Sequence, residues 1–102
     1  MNTQRKIMID ISNTNGVLTV RLPRTWRAEY AHDFTIVEKE VDRDAITRLR
    51  LDLSKVATIN PATLWLIDQI HWKCVTSRKS FDIVASSRIV EMYFSTLSGS
   101  MG

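Results

Sequence analysis

The chain has 102 residues and a mass of 11.7 kDa, enough for one domain whose core buries roughly 60–68% of the unfolded surface. It is 44% hydrophobic and 25% charged, with three glycines and two prolines, which excludes a linker-rich or disordered chain. The net charge of +3 is too small to define a phosphate-tracking surface, and Arg21, Arg24 and Arg27, with Arg78-Lys79, are short clusters rather than a basic stripe, so nucleic-acid binding is not expected.

The first pattern is a strand. Ile7, Ile9 and Ile11 alternate with Lys6, Met8 and Asp10. The run Asn13-Thr14-Asn15-Gly16 favours a tight reversal. Leu18, Val20 and Leu22 then share one face of a second strand, which Pro23 ends. The pair reads as an opening hairpin. A helix follows over residues 28–41, with Tyr30, Phe34, Val37 and Val41 on one side. Glu29 and Asp33 suit its positive end. Residues 42–45 read as a polar turn.

The run Arg48-Leu49-Arg50-Leu51-Asp52-Leu53 alternates strictly and is the cleanest strand signal in the chain. It places Leu49, Leu51 and Leu53 inward. Residues 54–60 form a connection in which Val56 and Ile59 tuck inward. Pro61 suits the first helical position, where a missing N–H costs nothing. Asn60 is then the N-cap. This second helix is expected over residues 61–75. A polar break at 76–80, a short strand at 81–85 and a last helix at 88–97 complete the chain. Residues 98–102 read as a frayed tail.

The order is β-β-α-β-α-β-α, over a single domain spanning residues 1–102. The expected fold is α/β: a four-stranded mixed sheet covered by helices, with two right-handed crossovers joining parallel neighbours.

A helical wheel of the second helix puts Leu64, Leu66, Ile67, Ile70, Cys74 and Val75 on one broad side. Trp65 and Trp72 lie together beyond its edge with Asp68 between them, and Gln69 and Lys73 fall on the wet side. The tryptophans have two readings. Either they cover a neighbouring helix or the sheet margin, or they anchor a partner.

Catalytic and metal signatures are missing from the sequence. Cys74 is the single cysteine. It excludes an internal disulfide and a multi-cysteine zinc site, and fits a reducing compartment. His71 is three positions away, a spacing too common to define a thiolate pair. His32 reads as surface or helix-start chemistry. Nothing in the sequence brings Asp68 and Glu91 together as paired acids. There is no phosphate-cradling glycine loop, no nucleophile elbow and no metal-ligand spacing, so neither enzyme activity nor a metal or other cofactor is expected. No apolar run of 18 residues predicts a membrane span. The N-terminus does not have the pattern of a signal peptide. The expected location is the cytoplasm.

The run from Asp52 to Leu64 resembles the central motif of STAS domains, a family that includes bacterial anti-sigma factor antagonists and the cytoplasmic domains of sulfate transporters. There a strand ends in Asp-Leu-Ser. A loop carries a hydrophobic residue, and an acid, one or two hydroxyl residues, a glycine and a hydrophobic helix follow. Asp52-Leu53-Ser54, Val56, Ile59 and Leu64 match. Ser86, Ser87, Ile89 and Val90 stand at the family's last strand–helix junction, and the likeness covers residues 16–97. The departures are specific. The family's acid matches Asn60, its hydroxyl positions match Pro61 and Ala62, and its glycine matches Thr63. In addition, Pro23-Arg24-Thr25 stands where a glycine is usual, and the closing strand and helix that many members carry are not seen.

The resemblance implies a non-catalytic protein-interaction module, an anti-sigma factor antagonist-like regulator in bacterial signalling and transcription control. Its partner would be an anti-sigma factor or a histidine-kinase-like ATPase domain. The expected docking residues are Asn60, Ala62, Thr63, Trp65, Asp68 and Trp72. In switching members a kinase phosphorylates a serine at this helix start, adding roughly two negative charges at the interface. Pro61 and Ala62 have no hydroxyl, so that switch is lost, and Thr58 and Thr63 are the candidate substitute phosphosites. Thr63 equally suits a role in satisfying the N–H groups of the first turn. The alternatives are a nucleotide or small-ligand domain, or a structural subunit of a larger signalling or transport complex. A homodimer through Trp65 and Trp72 is a further one.

Overall fold

The computed structural model describes residues 9–26, 32–86 and 88–91. Four strands and two helices follow in the order β1 (Asp10–Thr14), β2 (Val17–Arg21), α1 (Phe34–Val41), β3 (Arg48–Asp52), α2 (Pro61–Ser77) and β4 (Ser80–Val84). A third helical segment occupies residues 88–91. The sheet order is β1-β2-β3-β4. β1 and β2 are antiparallel, whereas β2, β3 and β4 run parallel. This is the α/β mixed sheet that the sequence predicts.

The hairpin turns on Asn15 and Gly16, both at positive φ (52° and 82°), the twist that a two-residue hairpin needs. Gly16 is also held by space. A Cβ there would stand 2.9 Å from the Ala45 carbonyl oxygen. Because the loop is only two residues long, Asn13 and Thr14 pair with Leu18 and Val17. β1 therefore extends through polar residues assigned by sequence to the turn. It begins at Asp10; the expected residues 6–8 lie outside the described residues.

Register explains the core. Leu18 sits beside Leu49, and Val20 beside Leu51; Leu49 and Leu51 in turn neighbour Phe81 and Ile83. Side chains alternate along a strand, so these residues share one face. α1 covers it with Phe34, Val37 and Val41, and α2 with Leu66, Ile67, Ile70 and Cys74. Each fully buried aliphatic side chain contributes about 1.5–3 kcal/mol. The reverse face carries Thr19, Arg21, Arg48, Arg50, Asp52 and Asp82. Arg21 lies 3.3 Å from Asp52 and 3.6 Å from Asp10, and Arg48 bonds Asp82 at 2.7 Å. These short cross-strand pairs neutralise Arg21 and Arg48 and leave Arg50 as the exposed cation of this face.

Two helix boundaries differ from the sequence reading. α1 starts at Phe34 after a short turn at 32–33, and residues 27–31, with Glu29 and Tyr30, lie outside the described residues. α2 runs two residues further than expected, to Ser77, and is capped by Arg78, which takes the left-handed conformation (φ 59°). The Lys79 N–H closes the end on the Cys74 carbonyl at 2.9 Å. β4 starts one residue early, at Ser80. Ser86 accepts from the Ile89 N–H, and Ile89 is buried; the continuation of this helix to residue 97 and the tail at 98–102 lie outside the described residues.

Candidate functional site

The parallel strand β3 delivers the chain to the start of α2. Asp52 ends the strand, and its carboxylate accepts from the Ser54 N–H at 2.8 Å, bending the chain into the loop. The Ser54 hydroxyl and N–H, with Arg21 beside them, hold the Asp52 carboxyl below its ordinary value. Val56 then enters the core and Ile59 packs against it. The Ala57 N–H donates to the Arg24 carbonyl at 2.9 Å, tying the loop to the segment after β2.

Asn60 fixes the helix start from both sides. Its backbone is extended, and its Oδ1 accepts from the Thr63 N–H at 2.9 Å and the Thr63 hydroxyl at 3.1 Å. Its Nδ2 donates to the Trp26 carbonyl at 3.1 Å. Asn60 is thus the N-cap, with Pro61 at the first helical position, as the sequence predicts. The Trp26 bond has no sequence signal, because it joins residues 34 apart.

The expected docking residues divide. Trp65, Asp68 and Trp72 are exposed. Asn60 and Ala62 are half-buried, and Ala62 packs against the core. Thr63 is fully buried with its hydroxyl committed to Asn60. That places Thr63 inside the monomer rather than on a surface that a partner or kinase reaches. Thr58, in the loop, is exposed. Pro61 is exposed as well.

The outward face of α2 also corrects the wheel. At 100° per residue, the buried set Thr63, Leu66, Ile67, Ile70 and Cys74 centres almost opposite Trp72. Trp72 is therefore the solvent pole and is 64% exposed. Trp65, seven residues earlier and only about 20° round from Trp72, is 45% exposed, with its ring edge-on to Phe34 of α1 at 6.1 Å between centroids. The two readings of the tryptophans thus separate: Trp65 partly covers the neighbouring helix, whereas Trp72 stands clear.

Val75, expected on the buried side, is exposed. Lys73 and Gln69, expected on the wet side, are half-buried. The cause is α1, which packs along that flank. Asp42, just past its end, accepts Lys73 Nζ at 2.9 and 3.0 Å and the Ser77 hydroxyl at 3.2 Å. The hydrogen bond from Lys73, helped by Ser77, holds the Asp42 carboxyl below its ordinary value.

Among the described residues, Cys74 and His71 do not form a thiol–base pair. Cys74 is buried, which pushes its thiol up to about 11. His71 is exposed and stacks on Phe81 of β4 at 4.9 Å, so it does not face the thiol as a base. His32 is exposed, as expected for a helix-start residue. Among the described residues no cluster of three or more His, Cys, Asp or Glu has metal-binding geometry, and no helix is long and apolar enough to cross a membrane. No protein-family model matches the chain, and no curated protein matches it. The likeness to STAS domains rests on the residues from Asp52 to Leu64 and on the order of the elements.

Proposed function

We propose that the chain is a non-catalytic protein-interaction module of STAS type, cytoplasmic and regulatory, that docks through the outward pole of α2. The observation that carries this reading is Trp72, 64% exposed at the pole of a helix whose opposite face is fully packed. An indole left in water contributes little to the fold, whereas an exposed tryptophan is a strong anchor once a partner desolvates it. Trp65 stands on the same face, held in one orientation by Phe34, so part of the ordering cost of binding is already met. Asp68 is exposed on the same side of the helix, one turn after Trp65 and one before Trp72, and Pro61, also exposed, extends the surface toward the loop. Asn60 and Thr63 act from below, by fixing where the helix begins.

The partner is of the anti-sigma factor or histidine-kinase-like ATPase class that the resemblance implies. With Pro61 and Ala62 at the phosphoacceptor positions, binding is not switched by phosphate at the usual serine. The test is capture by immobilised wild type of a purified anti-sigma factor from the same organism. Wild type should retain it, Trp72→Ala and Asp68→Lys should lose it at least about ten-fold, and Arg50→Ala, on the opposite face of the sheet, should not. Equal retention by all four proteins removes the pole of α2 as the docking surface.

A further inference from the structure

The two edges of the sheet are unlike. β1 is an edge of exposed polar residues: Asp10, Ser12, Asn13 and Thr14. β4, the other edge, has the sequence Ser-Phe-Asp-Ile-Val with Ile83 44% and Val84 42% exposed. It carries neither the lysine nor the proline with which proteins commonly blunt an open edge. Its single charge, Asp82, is bound by Arg48 at 2.7 Å.

The hydrogen-bond phase says which backbone groups are free. The Ser80 N–H donates to the Thr47 carbonyl at 3.0 Å, and the Val84 carbonyl accepts from the Leu53 N–H at 2.7 Å. Ser80, Asp82 and Val84 therefore turn their backbone groups toward β3. Phe81 and Ile83 turn theirs outward. A second strand paired antiparallel by a two-fold axis must bring outward residues opposite outward residues. Any axis through a residue of β4 does so, and two of these registers set Ile83 against a large apolar side chain. One centres on Asp82 and sets that carboxylate against its own copy, which is unfavourable. The other centres on Ile83, sets Ile83 against Ile83 and Phe81 against Ala85, and places each Asp82 opposite a Val84.

We propose that β4 pairs antiparallel with β4 of a second copy of this chain, on a two-fold axis at Ile83. Charge is compatible along the whole seam, because each Asp82 keeps its own Arg48 and faces an apolar side chain. The flank of α2 above β4 belongs to the same interface. His71 stacks on Phe81 there, and Leu64 and Val75 lie on the same side of the helix. Val75 is 52% exposed in the single chain, and the second copy brings the equivalent flank toward it. The strand pair supplies directional hydrogen bonds, and the helix flanks supply the further apolar area that a stable dimer needs.

Sedimentation equilibrium on the full chain over micromolar to submillimolar concentration tests this. Wild type should approach twice the 11.7 kDa chain mass. Ile83→Lys should raise the dissociation constant at least about ten-fold, with far-UV circular dichroism unchanged. The register has its own test, which does not depend on the fold of Ile83→Lys. Val84→Asp sets a carboxylate against Asp82 of the second copy and should weaken the dimer, whereas Val84→Lys sets a cation there and should preserve it. Trp72→Ala should leave the dimer intact, which separates this interface from the docking pole of α2. A monomeric wild type, equal effects of Val84→Asp and Val84→Lys, or loss of the dimer in Trp72→Ala alone would each overturn the proposal.

Discussion

Replacing Asn60 with aspartate gives the chain the acid that STAS domains carry at this position, and the structure says that stability falls. The cap half of the side chain survives. A carboxylate oxygen still accepts from Thr63, and at a helix N-terminus a negative charge gains about 0.3–1 kcal/mol. The other half is inverted. Nδ2 donates to the Trp26 carbonyl at 3.1 Å, and an ionised carboxylate sets an acceptor against that acceptor in a half-buried site. Losing the bond and leaving facing acceptors costs about 1–3 kcal/mol. The net effect at neutral pH is a loss of about 1–2 kcal/mol. Asn60→Ala loses the cap and the Trp26 bond together, about 2 kcal/mol. Urea unfolding followed by tryptophan fluorescence measures both. A loss of this size moves the midpoint by roughly 1 M, given a denaturant slope of about 1–2 kcal/mol/M for a small domain. Protonation supplies the control. Once the introduced carboxyl group is protonated it regains a donor for the Trp26 carbonyl, so the deficit of Asn60→Asp should shrink as pH falls. An Asn60→Asp protein as stable as wild type at neutral pH, or a deficit independent of pH, would refute the two-sided role of Asn60.

Two further outcomes follow from the site. Trp65→Ala should cost about 2 kcal/mol in thermal or urea unfolding, since it removes an aromatic contact to Phe34 and a half-buried ring, whereas Trp72→Ala should change stability by no more than about 0.5 kcal/mol. The Asp52 carboxyl, held below its ordinary value of 3.8 by Ser54 and Arg21, contributes stability that is fully present above that value and lost as pH falls through its lower folded value; Asp52→Asn should therefore flatten acid unfolding below about pH 4 relative to wild type, read by circular dichroism.

What can be read from the residues follows their periodicity. The run from Arg48 to Leu53 alternates leucine with charge over six residues, so its inward face is unambiguous, and Leu49, Leu51 and Leu53 are all buried. The start of α2 is equally legible because Asn60 and Pro61 each have one strongly preferred place at a helix N-terminus. The orientation of α2 is not legible to the same degree. Its apolar residues lie on both faces, so the wheel has no single direction, and it points Val75 inward with Cys74 and Lys73 outward. Contacts distant in sequence decide it: Asp42 captures Lys73 from 31 residues away, and that ion pair turns a lysine into a helix–helix contact. Thr63 is the same case at the site itself. As a hydroxyl at the helix start it looks available, yet the bond to Asn60 and the packing below leave it fully buried.

The two surfaces on α2 and β4 are separable by geometry, and this has a consequence for how the domain would bind. The pole at Trp72 points away from the sheet, opposite the buried residues of the helix, while the edge at Ile83 lies in the plane of the sheet. A two-fold axis at Ile83 that extends the sheet must run across its plane, so the helix-covered faces of both copies stay on the same side. Two four-stranded sheets then become one continuous sheet, with two Trp72 poles displayed in the same direction. A partner that is itself a dimer meets both poles at once, and its second contact forms at the high effective concentration set by the rigid sheet. Pairing at β4 thus adds avidity without adding a residue to the docking surface, so the edge strand can vary in strength while the pole keeps its chemistry.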